Sequence, residues 1–431
     1  MYARAARSLA GVALAALVAA GCATNPVTGD RELRLVSEDE EIALGERQYQ
    51  PTLQAMGGPY NAEPALSEYV AEVGQRVAAE SDRPDLPYEF TVLNDGTPNA
   101  WALPGGKIAI NRGLLVEMDN EAELAAVIGH EIVHAAARHS AQRLERGMLM
   151  QAGVAAVGVA ASDSELAGLL VAGTGIGLNL INKRYSREAE LESDRYGTRY
   201  MAEAGYDPQA AVTLQEKFVR LAGDNSSNWL EGLFASHPPS QARVEANREL
   251  ARRLRAEMDA SAWTLGAERY ARRTAPLREN SEAYADHEAG REALQAGNPE
   301  QALSLAEQAI DAYPEEAAFH ALKGQALARM GEPEAAVEAL DRAIARNDRT
   351  FAFHLDRGLL RKELGRDDRA RSDLRRANEL LPTAPAHFTL GQLAEADGER
   401  ASALRHYRRA AESESAYGER AQEALSRLRS G

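Results

Sequence analysis

Apolar residues fall at helical spacing in the segments that carry most of this 431-residue chain, and alternate in only a few short stretches. Leu124, Val127 and Ile128 share one helical face. Asn120 and Glu123 stand ahead of them as an N-terminal cap and its box partner, so a helix is expected from there to about Arg143. Residues 125 to 129 and 132 to 137 are mostly Ala, Val and Ile, which makes this helix a buried one. Tyr185 to Gly197 is dense in carboxylates and reads as a second helix. Ser37 to Glu40 is a capping box that opens the first helix of the folded body. Tyr88 to Leu93 alternates as a strand does. Lys107 to Ile110 reads as another strand, after the turn Pro104-Gly105-Gly106. Such a strand beside the buried helix either offers an unpaired edge or closes a plain hairpin. Gly147 to Ile181 holds few charges, and its uncharged run 166–181 has 16 residues with four glycines. That is marginal for a bilayer core about 30 Å thick, so a buried helical hairpin is expected, with a mobile or membrane-facing flap as the alternative.

The C-terminal half repeats. Gly290, Gly324 and Gly358 are 34 residues apart and Gly391 follows after 33. Gly297, Gly331, Gly365 and Gly398 keep that register, as do Ala302, Ala336, Ala370 and Ala403. This is the tetratricopeptide period, with small residues where paired helices approach. Four repeats are expected over 283–416, closed by a capping helix. His320, His354 and His387 share one repeat position, so the repeat accounts for them; His287 and His406 read as solitary and exposed. Repeat three is basic, from Arg357, Arg361 and Lys362 to Arg375 and Arg376. That is a solvated face, or else a seat for an acidic partner segment.

Charge and the N-terminus narrow the setting. With 49 basic and 65 acidic residues the net charge is −16, which excludes nucleic acid as a partner. Arg4 and Arg7 precede an uncharged run from Leu9 to Ala20, the form of a secretory signal. It ends Val18-Ala-Ala-Gly-Cys22, close to a bacterial lipobox, and Cys22 is the one cysteine in the chain. Cys22 is therefore the expected lipidation site, and Ala23 after it suggests sorting to the outer membrane; soluble periplasmic export is the alternative. The organisation expected is a leader over 1–21, a tether over 22–36, a catalytic domain over 37–250, a helical linker over 251–282 and the repeats over 283–431.

The candidate chemistry lies in His130-Glu-Ile-Val-His134. On a helix, positions i and i+4 share a face, so both imidazoles reach one metal ion while Glu131 serves as general base. The bland alternative is a surface helix with two histidines, which the buried flanks argue against. One Zn2+ per chain is the expected cofactor. A third ligand is sought in the acidic helix, where Glu190 can ligate and Asp194, one turn on, can accept a ring N–H from a ligating His. Glu188 and Glu192 read as a solvated face, and His139, five residues past His134, as pointing away from the metal.

Four stretches resemble the gluzincin metalloproteases of the family that holds the CAAX prenyl endopeptidases and the HtpX-like proteases. They are Asn99 to Leu115, His130 to His139, Glu190 to Asp194 and Ser236 to Arg243, in family order. Ser193 stands where the family usually has Ala, and Trp101 where it more often has Phe. The resemblance implies an α+β, predominantly helical chain: a zincin-like metalloprotease domain with a small sheet, then an all-α tetratricopeptide-repeat solenoid. It implies Glu190 as zinc ligand and favours the substrate-edge reading of the strand. It implies that His237 is a fourth ligand or latch, and that Arg243 lies near the active site. Arg243 would then contact the scissile carbonyl, or hold a helix carboxylate in an ion pair. Periplasmic, repeat-bearing members imply misassembled outer-membrane β-barrel proteins as substrates and the barrel-assembly machinery as partner. The competing class is a chaperone-like repeat adaptor whose zinc site is latent or structural.

Overall fold

The computed structural model describes residues 22–156, 180–181, 184–223 and 231–430. The expected leader and most of the apolar stretch 147–181 lie outside them. No described helix is long and apolar enough to cross a membrane. The chain divides into two compact units, one holding residues up to Tyr49, Glu68–Thr91 and Thr97–Arg273, the other Gln50–Ser67, Val92–Gly96 and Thr274–Gly431.

The first unit opens on a hairpin of β1 (Cys22–Thr24) and β2 (Arg31–Leu33), where a tether is expected. Buried Asn25 holds its turn, accepting from Val27 N and donating to Ala137 O. Helix α1 (Glu38–Ala55) begins at the capping box, with Ser37 N and Oγ 2.8 and 2.7 Å from Glu40 Oε2. After α2 (Pro64–Ala78) come β3 (Glu89–Leu93), β4 (Ala100–Leu103) and β5 (Lys107–Asn111). Their order in the sheet is β3-β5-β4, so Lys107–Asn111 is the central strand and not an edge. The terminal strands are β3 and β4, the latter paired antiparallel to β5 with Ala100 opposite Ile110. Four buried residues with no alternation gave no strand signal there.

Helices α3 (Arg112–Glu117) and α4 (Glu121–Ala136) follow. Asn120 Oδ1 accepts from Glu123 N at 2.9 Å, and Glu123 Oε2 accepts from Asp119 N. The helix does not run on to Arg143. It stops at Ala137, and Arg138 takes a left-handed φ of 62° before α5 (His139–Ala156) sets off. That conformation is costly for a side chain with a Cβ. The fully buried guanidinium of Arg138 offsets the cost: it reaches Glu41 at 2.9 Å, Glu32 at 3.0 Å and Glu145 at 3.2 Å, and donates to Val36 O. The unit continues with α6 (Arg187–Glu203), α7 (Gln209–Gly223), α8 (Glu231–Ser236), α9 (Gln241–Glu257) and α10 (Ala267–Glu279).

The second unit carries four helix pairs: α11 (Ser281–Gln295) with α12 (Pro299–Ala312), α13 (Ala317–Arg329) with α14 (Pro333–Arg346), α15 (Phe351–Glu363) with α16 (Asp367–Leu380), and α17 (Ala384–Ala396) with α18 (Arg400–Ala410). A last helix, α19 (Ala416–Ser430), packs on the fourth pair. Each first-helix glycine sits where its partner helix comes close: a Cβ at Gly324 would lie 2.9 Å from Leu340 Cγ. His320 and His354 play one role, donating from Nε2 to the carbonyls of Pro314 and Asp348. Two expectations need correction. His287 is buried against Phe319, and His406 lies with its Nδ1 3.1 Å from that of His387. In the basic third repeat Arg357 and Arg361 both grip Asp373 and, from the second repeat, Asp341, while Lys362 pairs with Asp367 and Arg376 with Glu379.

Candidate metal centre

Helices α4 and α6 cross at two glycines. A Cβ on Gly129 would come 2.7 Å from Gly197 O, so only bare backbones fit there. This close approach sets the carboxylates of α6 against the histidines of α4. His130 Nε2 and His134 Nε2 are 3.0 Å apart. Glu190 Oε2 is 3.5 Å from the first and Glu190 Oε1 is 3.4 Å from the second. His237, just past the end of α8, brings its Nδ1 to 3.3 Å from His130 Nε2 and 3.0 Å from Glu190 Oε1. These four side chains are the described group able to share one ion, their donor atoms all within 4.8 Å of one another.

The outer hydrogen bonds decide what faces inward. Asp194 Oδ1 lies 3.0 Å from His130 Nδ1, so the carboxylate takes the proton of that nitrogen and leaves a lone pair on Nε2. His134 Nδ1 lies 2.9 Å from His139 Nδ1, and His139 Nε2 lies 3.2 Å from Glu192 Oε1. With protons donated towards Glu192, His134 also turns a lone pair to the centre. Two lone pairs 3.0 Å apart repel unless a cation lies between them. A tetrahedral zinc with ligands at about 2.0–2.1 Å requires donor–donor edges of about 3.3 Å, so the distances here fit. Imidazoles with one carboxylate are a donor set suited to zinc.

Glu131 is buried in this group, its Oε1 3.6 Å from His237 Nε2. Its Oε2 and His237 Nε2 have no hydrogen-bond partner among the described residues. Such atoms are costly to bury without a ligand or water. A cavity of about 50 Å3, reaching His130, Glu131 and His237 between apolar walls that include Val127, Leu214 and Phe218, has room for one.

Burial pushes the Glu131 carboxyl up, against the pull of His237 and His130. It also pushes His134 well down, which keeps that ring neutral as a metal ligand must be. Burial works against ionising Glu190 too, but His237 and His130 outweigh it and hold the carboxylate low. Arg243 does the same for buried Asp194, with Nε and Nη2 at 2.6 and 2.7 Å from its two oxygens. The guanidinium also reaches Glu190 Oε2 at 2.8 Å and Pro238 O at 3.2 Å. In this conformation Arg243 is therefore the ion-pair partner of the helix carboxylates.

The structure thus gathers His130, Glu131, His134, Glu190, Asp194, His237 and Arg243 at one point. Cys22 lies elsewhere, at the start of β1. Two sequence readings are corrected. His139 does not point away: past the helix break at Arg138 it lies against His134. Glu192 is not free on a solvated face but ends the His139 bond. Tyr185 went unread as well; its ring stacks on His134 with centroids 3.8 Å apart.

Residues 64–251 match the model of peptidase family M48, and residues 293–355 match a tetratricopeptide-repeat model. The metalloprotease LoiP of Escherichia coli (strain K12) is 31% identical over 204 residues, covering 46% of this chain and 76% of that protein. The chain belongs to peptidase family M48. Other relatives are the mitochondrial metalloendopeptidase OMA1 of Schizosaccharomyces pombe, 34% identical over 52% of this chain, and the beta-barrel assembly-enhancing protease of Escherichia coli (strain K12), 28% identical over 54%. This chain spans 65% of the first and 48% of the second.

Proposed function

We propose that this chain is an exported zinc endopeptidase that acts on misassembled or stalled outer-membrane β-barrel proteins, with its repeats as the protein-binding arm. The observation that carries the peptidase reading is the buried Glu131 Oε2, without a hydrogen-bond partner among the described residues, beside four converging ligand atoms. His130, His134 and Glu190 would hold zinc, which would supply Lewis acidity to a peptide carbonyl and lower the pKa of water. Glu131 takes a proton at its free oxygen and returns it to the leaving amine. Asp194 and His139 fix the two ring tautomers. Arg243 keeps Asp194 ionised and pairs with Glu190. An extended peptide would add to the terminal strand β4, which is buried in this conformation and so must first be uncovered, and main-chain pairing there would select for unfolded segments.

His237 acts as the fourth ligand of a resting state and withdraws when substrate enters. Its bonds to both Glu190 and His130 support this; a His237→Ala chain with unchanged hydrolysis and an unchanged metal spectrum would refute it. Cys22 carries a lipid that anchors the chain to the outer membrane, a reading supported by the residues before it. The assembly-enhancing relative supports the substrate class and a barrel-assembly partner.

The test is cleavage of a denatured barrel protein by metal-loaded wild type and Glu131→Gln. Loss of cleavage with metal retained is expected. Equal processing by the two would leave the adaptor reading, in which the repeats alone handle the client.

A further inference from the structure

Two cavities of about 360 and 430 Å3 flank the cluster and meet at Arg184 and Tyr185. The first is lined by His139, Arg143 and Arg146, and the second by Arg187, Pro238 and Arg243. Glu190, the carboxylate that lines the second, is already held by Arg243. Arg143, Arg146, Arg184 and Arg187 form no ion pair with a described carboxylate. Other arginines of this unit are paired, Arg199 with Asp82, Arg255 with Asp207 and Arg269 with Glu72 and Glu121. Arg143 lies over the Tyr185 ring at 4.2 Å and donates one Nη to Leu180 O at 2.8 Å. Its other Nη is buried with no partner among the described residues. The N-terminus of α6, at Arg187, adds the positive end of its dipole to the same place.

In a chain of net charge −16, Arg143, Arg146, Arg184 and Arg187 thus gather beside two cavities, with Glu188 next to Arg187 as a further charge at the start of α6. Low-dielectric walls focus their field into the cleft, while the rest of the surface repels anions. Tyr185 forms the shared wall and stacks on His134, so whatever lies in the cleft lies beside the cluster. We infer that this arginine-lined cleft takes peptide carboxylates, so that the substrate segment next to the scissile bond carries acidic groups. The inference rests on the peptidase reading and names the substrate chemistry of that site. Asp and Glu side chains or a free peptide C-terminus could supply the carboxylate.

The test measures fluorescence anisotropy of labelled, unstructured peptides on the metal-loaded Glu131→Gln chain. Three peptides separate the sources: glutamates with an amidated end, glutamines with an amidated end, and glutamines with a free end. A glutamate peptide bound about tenfold more tightly than the amidated glutamine peptide is expected, the scale of partly screened ion pairs. The gain should shrink as salt rises. A gain confined to the free end would assign the cleft to C-termini. Arg184→Glu with Arg187→Glu should abolish the preference and the Lys pair should restore it. Arg252→Glu, at an exposed position of α9 beside Glu249, should not alter it. Equal affinity for all three peptides, or a preference that survives the double reversal, overturns the inference. Cleavage by wild type is scored separately: acidic peptides that bind but are never cut would refute the peptidase reading and leave the cleft standing.

Discussion

Gly129 and Gly197 face each other across the α4–α6 crossing, and a Cβ on Gly197 would lie 2.6 Å from the Gly129 carbonyl carbon and 2.7 Å from His130 N. The atoms in the way are backbone, so relief requires the helices to part. His130 and His134 would then move away from Glu190 and Asp194. Gly197→Ala should cost about 1–3 kcal/mol, as overpacking does, and weaken metal binding. Thermal melting and chelator competition measure the two effects. Wild-type values in both would mean that the crossing does not set the site.

His139 should matter through His134. Replacing it by Phe keeps a ring but removes the acceptor for the His134 Nδ1 proton, 2.9 Å away. A loss of metal affinity of about 10- to 100-fold is expected, with Glu192→Gln giving a smaller loss in the same direction. Metal titration against a competing chromophore reads both. An unchanged His139→Phe affinity would separate this bond from the metal centre.

Arg138 joins the hairpin, α1 and α5 through three carboxylates. Arg138→Met would leave buried Glu41 without that charge partner, a change that costs about 3–5 kcal/mol when a buried pair is broken. The melting temperature should drop, and amides of Cys22–Leu33 should exchange faster with solvent. Protection of the hairpin equal to wild type would contradict this role.

The histidine pair of the fourth repeat predicts a pH dependence. Burial, His406 and Arg409 push His387 down to about 4 from an ordinary 6.5. Burial, Arg405, Arg375 and Arg371 lower His406 too. Below the ordinary value the unfolded chain binds more protons than the folded one, so stability rises with pH. The contribution is complete above about 6.5 and lost as pH falls towards 4. Melting across that range should show wild type gaining stability relative to His387→Gln as pH rises from 4 to about 6.5. A difference independent of pH would refute the assignment.

The sequence makes some of this legible for physical reasons. A 34-residue period specifies a helix pair without knowledge of its neighbours, so the repeat helices and their close-packed glycines follow directly. Two histidines at i and i+4 specify a shared face wherever the helix goes. What stays hidden depends on tertiary contact. The break at Arg138 has no glycine or proline to announce it; three carboxylates distant in sequence stabilise it. His139 was misplaced because helical phase was carried across that break. The short β4 shows no alternation because both its faces are covered. The pairing of Arg357 and Arg361 in repeat three with Asp341 and Asp373 is likewise a matter of tertiary contact, which no composition reveals.

The central claim is a single dication held by His130, His134 and Glu190, with His237 as the resting fourth ligand. X-ray absorption at the zinc edge on purified full-length chain, with the metal content measured on the same sample, tests it most directly. The account predicts one zinc per chain in a first shell of imidazole nitrogens and one carboxylate, losing one imidazole in His237→Ala. Substoichiometric metal, or a shell without imidazole, would contradict it.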